Sequence, residues 1–209
     1  MFTDRRDAGR RLGARLEGLA AQAPVVIGLP RGGVPVAAEV ATALHAPLDV
    51  IVVRKIGVPG HEELGMGAAA EDGVTVFNDD ILHALALAPD AVQQRVSAAL
   101  DQVRQRVTAI RAMRPALDLR GRTVVIVDDG VATGIDARAA CRCARGRGAA
   151  HVVLATPIAP AHWERRLAGE ADEYVAVETD ADFAAVGQYY EDFGQTTDEE
   201  VLECLKTTA

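Results

Sequence analysis

Five short apolar runs, at 25–29, 48–53, 123–127, 151–156 and 174–177, constrain this chain more than any other feature. Each is continuous, without the polar alternation of a strand that faces water on one side. A strand that is apolar on both faces must be covered on both, which is the situation of a parallel strand in a sheet with helices above and below. Helical spacing fits between them. Residues 5–21 place Ala8, Leu12, Leu16 and Leu19 on one stripe among Arg and Glu, and residues 34–44 read as a second helix entered through the turn Pro30-Arg31-Gly32-Gly33. The expectation is a doubly wound α/β fold: a mainly parallel sheet of about five strands with helices on both faces.

The second and third runs are separated by about sixty residues, more than a normal crossover needs. Residues 1–209 are therefore expected to form a single domain with an insertion at about 56–116. Its first part carries Gly57, Gly60, Gly65, Gly67 and Gly73 and reads as a flexible loop. Residues 75–77 suggest a short extra strand, and residues 90–114 a helical hood. Of eight aromatic residues, Phe183, Tyr189, Tyr190 and Phe193 fall in one segment. That segment either lines a pocket or interface, or forms a local core under a C-terminal helix.

Charge and cysteine usage exclude several classes. A formal net charge of −8 disfavours a nucleic-acid partner. Cys141, Cys143 and Cys204 are odd in number and lack C-x-x-C spacing, so neither a disulfide framework nor a structural metal is expected. No run reaches membrane-spanning length, and the first twenty residues lack the apolar core of a signal peptide. A cytoplasmic protein without a membrane partner is the expectation.

The chemistry concentrates at Val124-Val125-Ile126-Val127-Asp128-Asp129-Gly130-Val131-Ala132-Thr133-Gly134. A buried strand ends in two carboxylates and runs through small residues into a helix, and in open α/β sheets ligands sit at such carboxyl ends. Backbone N–H groups of Gly130, Val131, Ala132, Thr133 and Gly134, with the positive end of the helix behind them, can cradle a phosphate. The two acids can accept hydrogen bonds from vicinal hydroxyls, directly or through metal-bound water.

This stretch resembles the phosphoribosyl pyrophosphate motif of the type I phosphoribosyltransferases: a hydrophobic strand, two acids, two variable residues and Ala-Thr-Gly. Gly28-Leu29-Pro30-Arg31-Gly32-Gly33 is similar to that family's pyrophosphate loop, and Arg54-Lys55 stands where members often hold a basic residue. The resemblance implies transfer of a 5-phosphoribosyl group from phosphoribosyl pyrophosphate to a nitrogenous acceptor, with Mg²⁺ as cofactor and a homodimer as the assembly. It implies that Asp128 and Asp129 hold the ribose hydroxyls and the metal, directly or through water, that residues 130–134 hold the 5-phosphate, that Arg31, Gly32 and Gly33 hold pyrophosphate, and that Lys55 pairs with the leaving group.

Two positions depart from the pattern. Asp136 replaces a common Thr or Ser, and either repels the phosphate or serves as a helix N-terminal charge bonded to backbone N–H groups. Ala132 stands where 6-oxopurine salvage enzymes carry Asp, which argues against guanine or hypoxanthine as acceptor. The loop at 57–67 is read as a lid, with His61, Glu62 and Glu63 as acid or base groups or simply a polar tip. Arg138, Arg142 and Arg145 read as a solvated helix face. The alternatives are a non-catalytic sensor of phosphoribosyl pyrophosphate or a nucleotide, favoured by Asp136, and a Mg²⁺-dependent phosphohydrolase using the same acidic strand end.

Overall fold

A computed structural model describes residues 1–85 and 87–207. In chain order its elements are α1 (Arg5–Leu16), β1 (Val25–Gly28), α2 (Gly33–Leu44), β2 (Leu48–Val50), β3 (Val53–Val58), β4 (His61–Ala70), β5 (Thr75–Phe77), α3 (Asp79–Leu85), α4 (Pro89–Arg111), β6 (Thr123–Val127), α5 (Ile135–Gly146), β7 (His151–Pro160), α6 (Trp163–Arg166), β8 (Glu173–Asp180) and α7 (Asp198–Thr207). Among the described residues no helix is long and apolar enough to cross a membrane.

The main sheet has the order β2-β1-β6-β7-β8, and every pairing in it is parallel. Alternation along the strands divides the core into two layers. Val26, Val125 and Val153 face a cluster with Leu12 and Leu16 of α1, Val40 and Leu44 of α2 and Val201 of α7. Val25, Ile27, Val124, Ile126, Val152 and Leu154 face the other way, onto Ala137, Ala140, Cys141 and Ala144 of α5. Both faces are thus apolar and covered, as the continuous runs require.

The insertion between β2 and β6 holds a second, antiparallel sheet of order β3-β4-β5. It lies between α4 and α5. Ile56, Met66 and Ala69 join the same core cluster as Val96, Ala99, Val103 and Ile110, which form one stripe of α4. Ala68, Ala70 and Val76 join the α5 cluster instead. Pro89 at the first position of α4 costs no helical hydrogen bond there.

Three expectations are corrected. The run at 48–53 is not one strand, because the backbone N–H of Val52 donates to the Glu71 carboxylate (2.8 Å) and the chain crosses there from the parallel sheet to the antiparallel one. The glycine-rich segment 57–67 is not an irregular loop but lies in the β3–β4 hairpin, with register shifts beside Gly57. The first helix stops at Leu16 and tightens into a 3-10 turn (Glu17–Gln22).

A buried charge network fastens the insertion to the main sheet. Arg111, at the end of α4, donates to Asp49 of β2 (2.7 Å) and to the carbonyl of Val50 (3.0 Å), and lies 3.6 Å from Glu71. Arg147 reaches Glu71 and Asp72, each at 2.6 Å. Asp49 and Glu71 are 1% and 3% exposed. Removing one partner from such a group leaves a buried charge without compensation, so Arg111→Met is expected to destabilise the protein by about 3 kcal/mol. The check is a lowered urea midpoint at unchanged slope.

Candidate active site at the carboxyl ends of β1 and β6

Two loops meet where β1 and β6 end side by side. Leu29 donates its N–H to the carbonyl of Val127 (3.0 Å), keeping the loops in register. A Cβ on Gly32 would lie 2.1 Å from Asp129 Oδ2, and one on Gly33 2.8 Å from the Val127 carbonyl and 2.9 Å from Asp128 Cα. Glycine is required at both positions because the acid pair already occupies that space. The Pro30–Arg31 peptide bond is cis.

Asp128 and Asp129 are thereby largely buried against the glycine loop. Asp128 Oδ1 accepts the Asp129 N–H (2.9 Å). Arg5, from the first turn of α1, donates Nε to Asp129 Oδ2 at 2.8 Å, with the two side chains 13% and 15% exposed. The same guanidinium donates to the carbonyl of Gly194 (2.7 Å) and stacks over the Phe193 ring at 4.1 Å. Tyr190 donates its hydroxyl to the Asp129 carbonyl (2.6 Å). Of these brace residues Arg5 was not anticipated: it reads in sequence as one of several arginines on an amphipathic helix, and only the fold brings it to Asp129.

The aromatic segment forms a local core, though not under the C-terminal helix. Tyr189 and Tyr190 are buried with Phe2, Ala8 and Ile158, and Phe183 and Val186 pack alongside. Val186 lies directly against Gly130, where an added Cβ would sit 2.4 Å from it. The segment therefore covers one side of the acid pair.

Beyond the acids, Val131 turns inward: its side chain is buried and its N–H donates to the Ile158 carbonyl (3.0 Å). Among the described residues the N–H groups of Ala132, Thr133 and Gly134 donate to no protein group, and the same holds for Arg31 and Gly32. Gly134 has φ 77° and caps α5, a conformation unfavourable for a side chain. Asp136 follows in the first turn. Its Oδ1 is buried with no hydrogen-bond partner among the described residues, so the alternative of bonding to backbone N–H groups is not found for that oxygen.

The neighbouring basic residues separate by strand alternation. Lys55 lines a cavity of about 660 Å³ with Thr133, Arg138, Arg166 and Asn78. Arg54, one residue earlier, lines a different cavity with Arg31. His61 is exposed at the start of β4, and the side chains of Glu62 and Glu63 lie outside the described residues. Arg142 and Arg138 pair with Glu170 (2.7 and 3.4 Å), so this face of α5 is ion-paired to the segment before β8 rather than simply solvated.

Electrostatics disfavour charge on the acid pair. Burial, reinforced by the Asp129 and Asp136 charges, pushes the Asp128 carboxyl well above the usual carboxylate range. Burial raises Asp129 too, and the Arg5 guanidinium opposes that rise. Burial also raises Asp136, against the attraction of Lys55 and Arg54. The Cys141 and Cys143 thiols are pushed up to about 12 by burial and are inert spectators.

Residues 6–193 match the phosphoribosyl transferase domain family. A Mycobacterium tuberculosis H37Rv protein provisionally named a phosphoribosyl transferase, Rv0571c, is 53% identical over 208 residues. The alignment covers 98% of this chain and 46% of that protein, so the chain spans about half the length of the curated relatives it matches. The crystal structure of TT1426 from Thermus thermophilus superposes with a TM-score of 0.83 at 44% identity, covering 100% of this chain and 99% of that one. A Neisseria gonorrhoeae protein solved with bound ppGpp shares the fold alone, with a TM-score of 0.54 and 12% identity over 100% of this chain and 97% of that chain.

The raised Asp128 gives a signed pH prediction. The unfolded chain loses this proton near pH 4 while the folded chain holds it to higher pH, so ionisation progressively costs stability above about pH 4. Asp128→Asn is isosteric and uncharged. Its melting temperature should match wild type below about pH 4 and exceed it increasingly toward the folded-state pKa. A variant less stable than wild type at neutral pH would show instead that the charge is compensated.

Proposed function

The chain belongs to the phosphoribosyl transferase domain family, and on that premise we propose that it moves a 5-phosphoribosyl group from phosphoribosyl pyrophosphate to a nitrogenous small-molecule acceptor, releasing pyrophosphate. The observation that carries the reading is the packing of Gly32 and Gly33 against Asp128 and Asp129. It sets a loop with open N–H groups beside a pair of acids, followed by a second open N–H turn at a helix start.

In this reading Asp128 and Asp129 accept hydrogen bonds from the two ribose hydroxyls. Arg5 holds one oxygen of Asp129 and thereby orients the carboxylate. The Ala132, Thr133 and Gly134 N–H groups and the Thr133 hydroxyl take the 5-phosphate, while Gly130 and Val131 shape the turn, and Lys55 contributes charge from the cavity it shares with Thr133. Arg31, Gly32 and Gly33 take the pyrophosphate. The acceptor nitrogen attacks the anomeric carbon, the bond to the pyrophosphate oxygen breaks with its electron pair, and the acceptor nitrogen loses its proton. Positioning and charge stabilisation supply the catalysis. Closure of the β3–β4 hairpin over the site would exclude water.

Mg²⁺ fits the donor set. Among the described residues no cluster of three or more metal-ligating side chains occurs, and a pair of acids suits a cation that keeps several waters and shares its coordination with substrate phosphates. Asp128 and Asp129 would hold it, directly or through water, and its charge would neutralise the leaving group. The same reading takes the protein to be a cytosolic homodimer, with residues 1–209 as a single domain.

The test is calorimetric titration of phosphoribosyl pyrophosphate with Mg²⁺ into wild type and an Asp128→Asn, Asp129→Asn double variant. Saturable binding that the variant loses is expected, followed by pyrophosphate release when the correct acceptor from a panel of nitrogenous bases is added. A folded wild type that does not bind overturns the reading.

A further inference from the structure

Three arginines that are distant in sequence line one cavity of about 520 Å³. Arg31 comes from the glycine loop after β1, Arg54 from β3 and Arg106 from α4, with Gln102 and Gln105 beside Arg106 on the same helix. Alternation on β3 sends Arg54 to the side of Ile56, which packs in the α4 cluster, and Lys55 to the opposite side. Three guanidinium groups lining one cavity beside open backbone N–H groups give it a positive lining that attracts anions. Among the described residues the only anionic group lining the cavity is Asp198, at the start of α7, which pairs with Arg106. One carboxylate does not balance three guanidinium charges.

We infer that Arg54 and Arg106 join Arg31 in clamping the outer phosphate of the pyrophosphate leaving group, so that the inserted helix α4 is a working part of the transferase site. The inference rests on the transferase reading. The glycine loop lies between the acid pair on one side and this cavity on the other. A pyrophosphate bound over that loop therefore extends from the ribose subsite toward Arg54 and Arg106. Planar guanidinium forks suit such a group, because each can donate two parallel hydrogen bonds to one phosphate. Arg106 exchanges Asp198 for phosphate when pyrophosphate arrives. The α4 side of the glycine loop therefore receives the leaving group.

Calorimetric titration of the full chain with inorganic pyrophosphate plus Mg²⁺, and separately with ribose 5-phosphate, tests the clamp in wild type, Arg106→Gln and Asp198→Asn, each checked for folding by its melting temperature. Arg106→Gln should weaken pyrophosphate binding by roughly 10- to 100-fold, the worth of a charge-assisted contact, with ribose 5-phosphate affinity unchanged. Asp198→Asn breaks the same ion pair but frees the guanidinium, so it should bind pyrophosphate at least as tightly as wild type. Equal pyrophosphate affinity in Arg106→Gln and wild type overturns the clamp, while loss of phosphoribosyl pyrophosphate binding in the Asp128/Asp129 double variant would leave the transferase reading standing. A loss in Asp198→Asn as large as in Arg106→Gln assigns the effect to the ion pair and also overturns it. Pyrophosphate binding that depends on Arg106 in a protein that does not bind phosphoribosyl pyrophosphate supports the arginine site and removes the transferase reading.

Discussion

The close approach of Gly32 and Gly33 to Asp128 and Asp129 constrains everything around it. Any side chain at Gly32 would occupy the position of the Asp129 carboxylate. The contact exists because β1 and β6 are parallel neighbours in register, Gly28 opposite Val127, and so end at the same level. Two loops of opposite electrostatic character then share one edge of the sheet. Acids at the end of a strand buried on both faces are disfavoured as charges, and Arg5, Tyr190 and Phe193 bring the chain's two distant segments together to hold them. The local cost of burying these acids is offset by the two apolar layers behind them.

The insertion is held by a different kind of contact. An antiparallel sheet of three strands is not independently stable without a covered face, and here α4 covers one face while α5 covers the other. Its position relative to the main sheet depends on Asp49, Arg111, Glu71 and Arg147, which link β2, the end of α4, the β4–β5 turn and the end of α5. Their hydrogen bonds are directional, and loss of one partner leaves an uncompensated buried charge. Arg54 and Lys55 line two different cavities.

Much of the fold was legible because its determinants are local or periodic. The parallel sheet followed from continuous apolar runs, the helix expected at 34–44 (observed at Gly33–Leu44) from its position after a glycine turn, and that expected at 90–114 (observed at Pro89–Arg111) from its charge pattern. The acid pair and the glycine turns were recognisable because chemistry fixes those residue types at those intervals. The break at Ile51 and Val52 was not legible, since the apolar run continues through it and only Glu71, nineteen residues on, diverts the backbone. Glycines that suggested a loose loop instead line a hairpin with register shifts. Arg138 and Arg142 looked solvated because their partner, Glu170, lies across a strand and a turn.

The sequence by itself determined the layer architecture, the position of the acid pair at a strand end, and the small-residue turn that follows, since each depends on residues within one short window. Only the tertiary structure decided which cations surround that site. Arg5 is 124 residues from Asp129, and Arg31, Arg54 and Arg106 meet at one cavity from three separate elements. A charged side chain on a helix or strand carries no local signal of what it will face. Its partner is set by how the sheet and the inserted helix pack, a long-range property that periodicity within one element cannot encode.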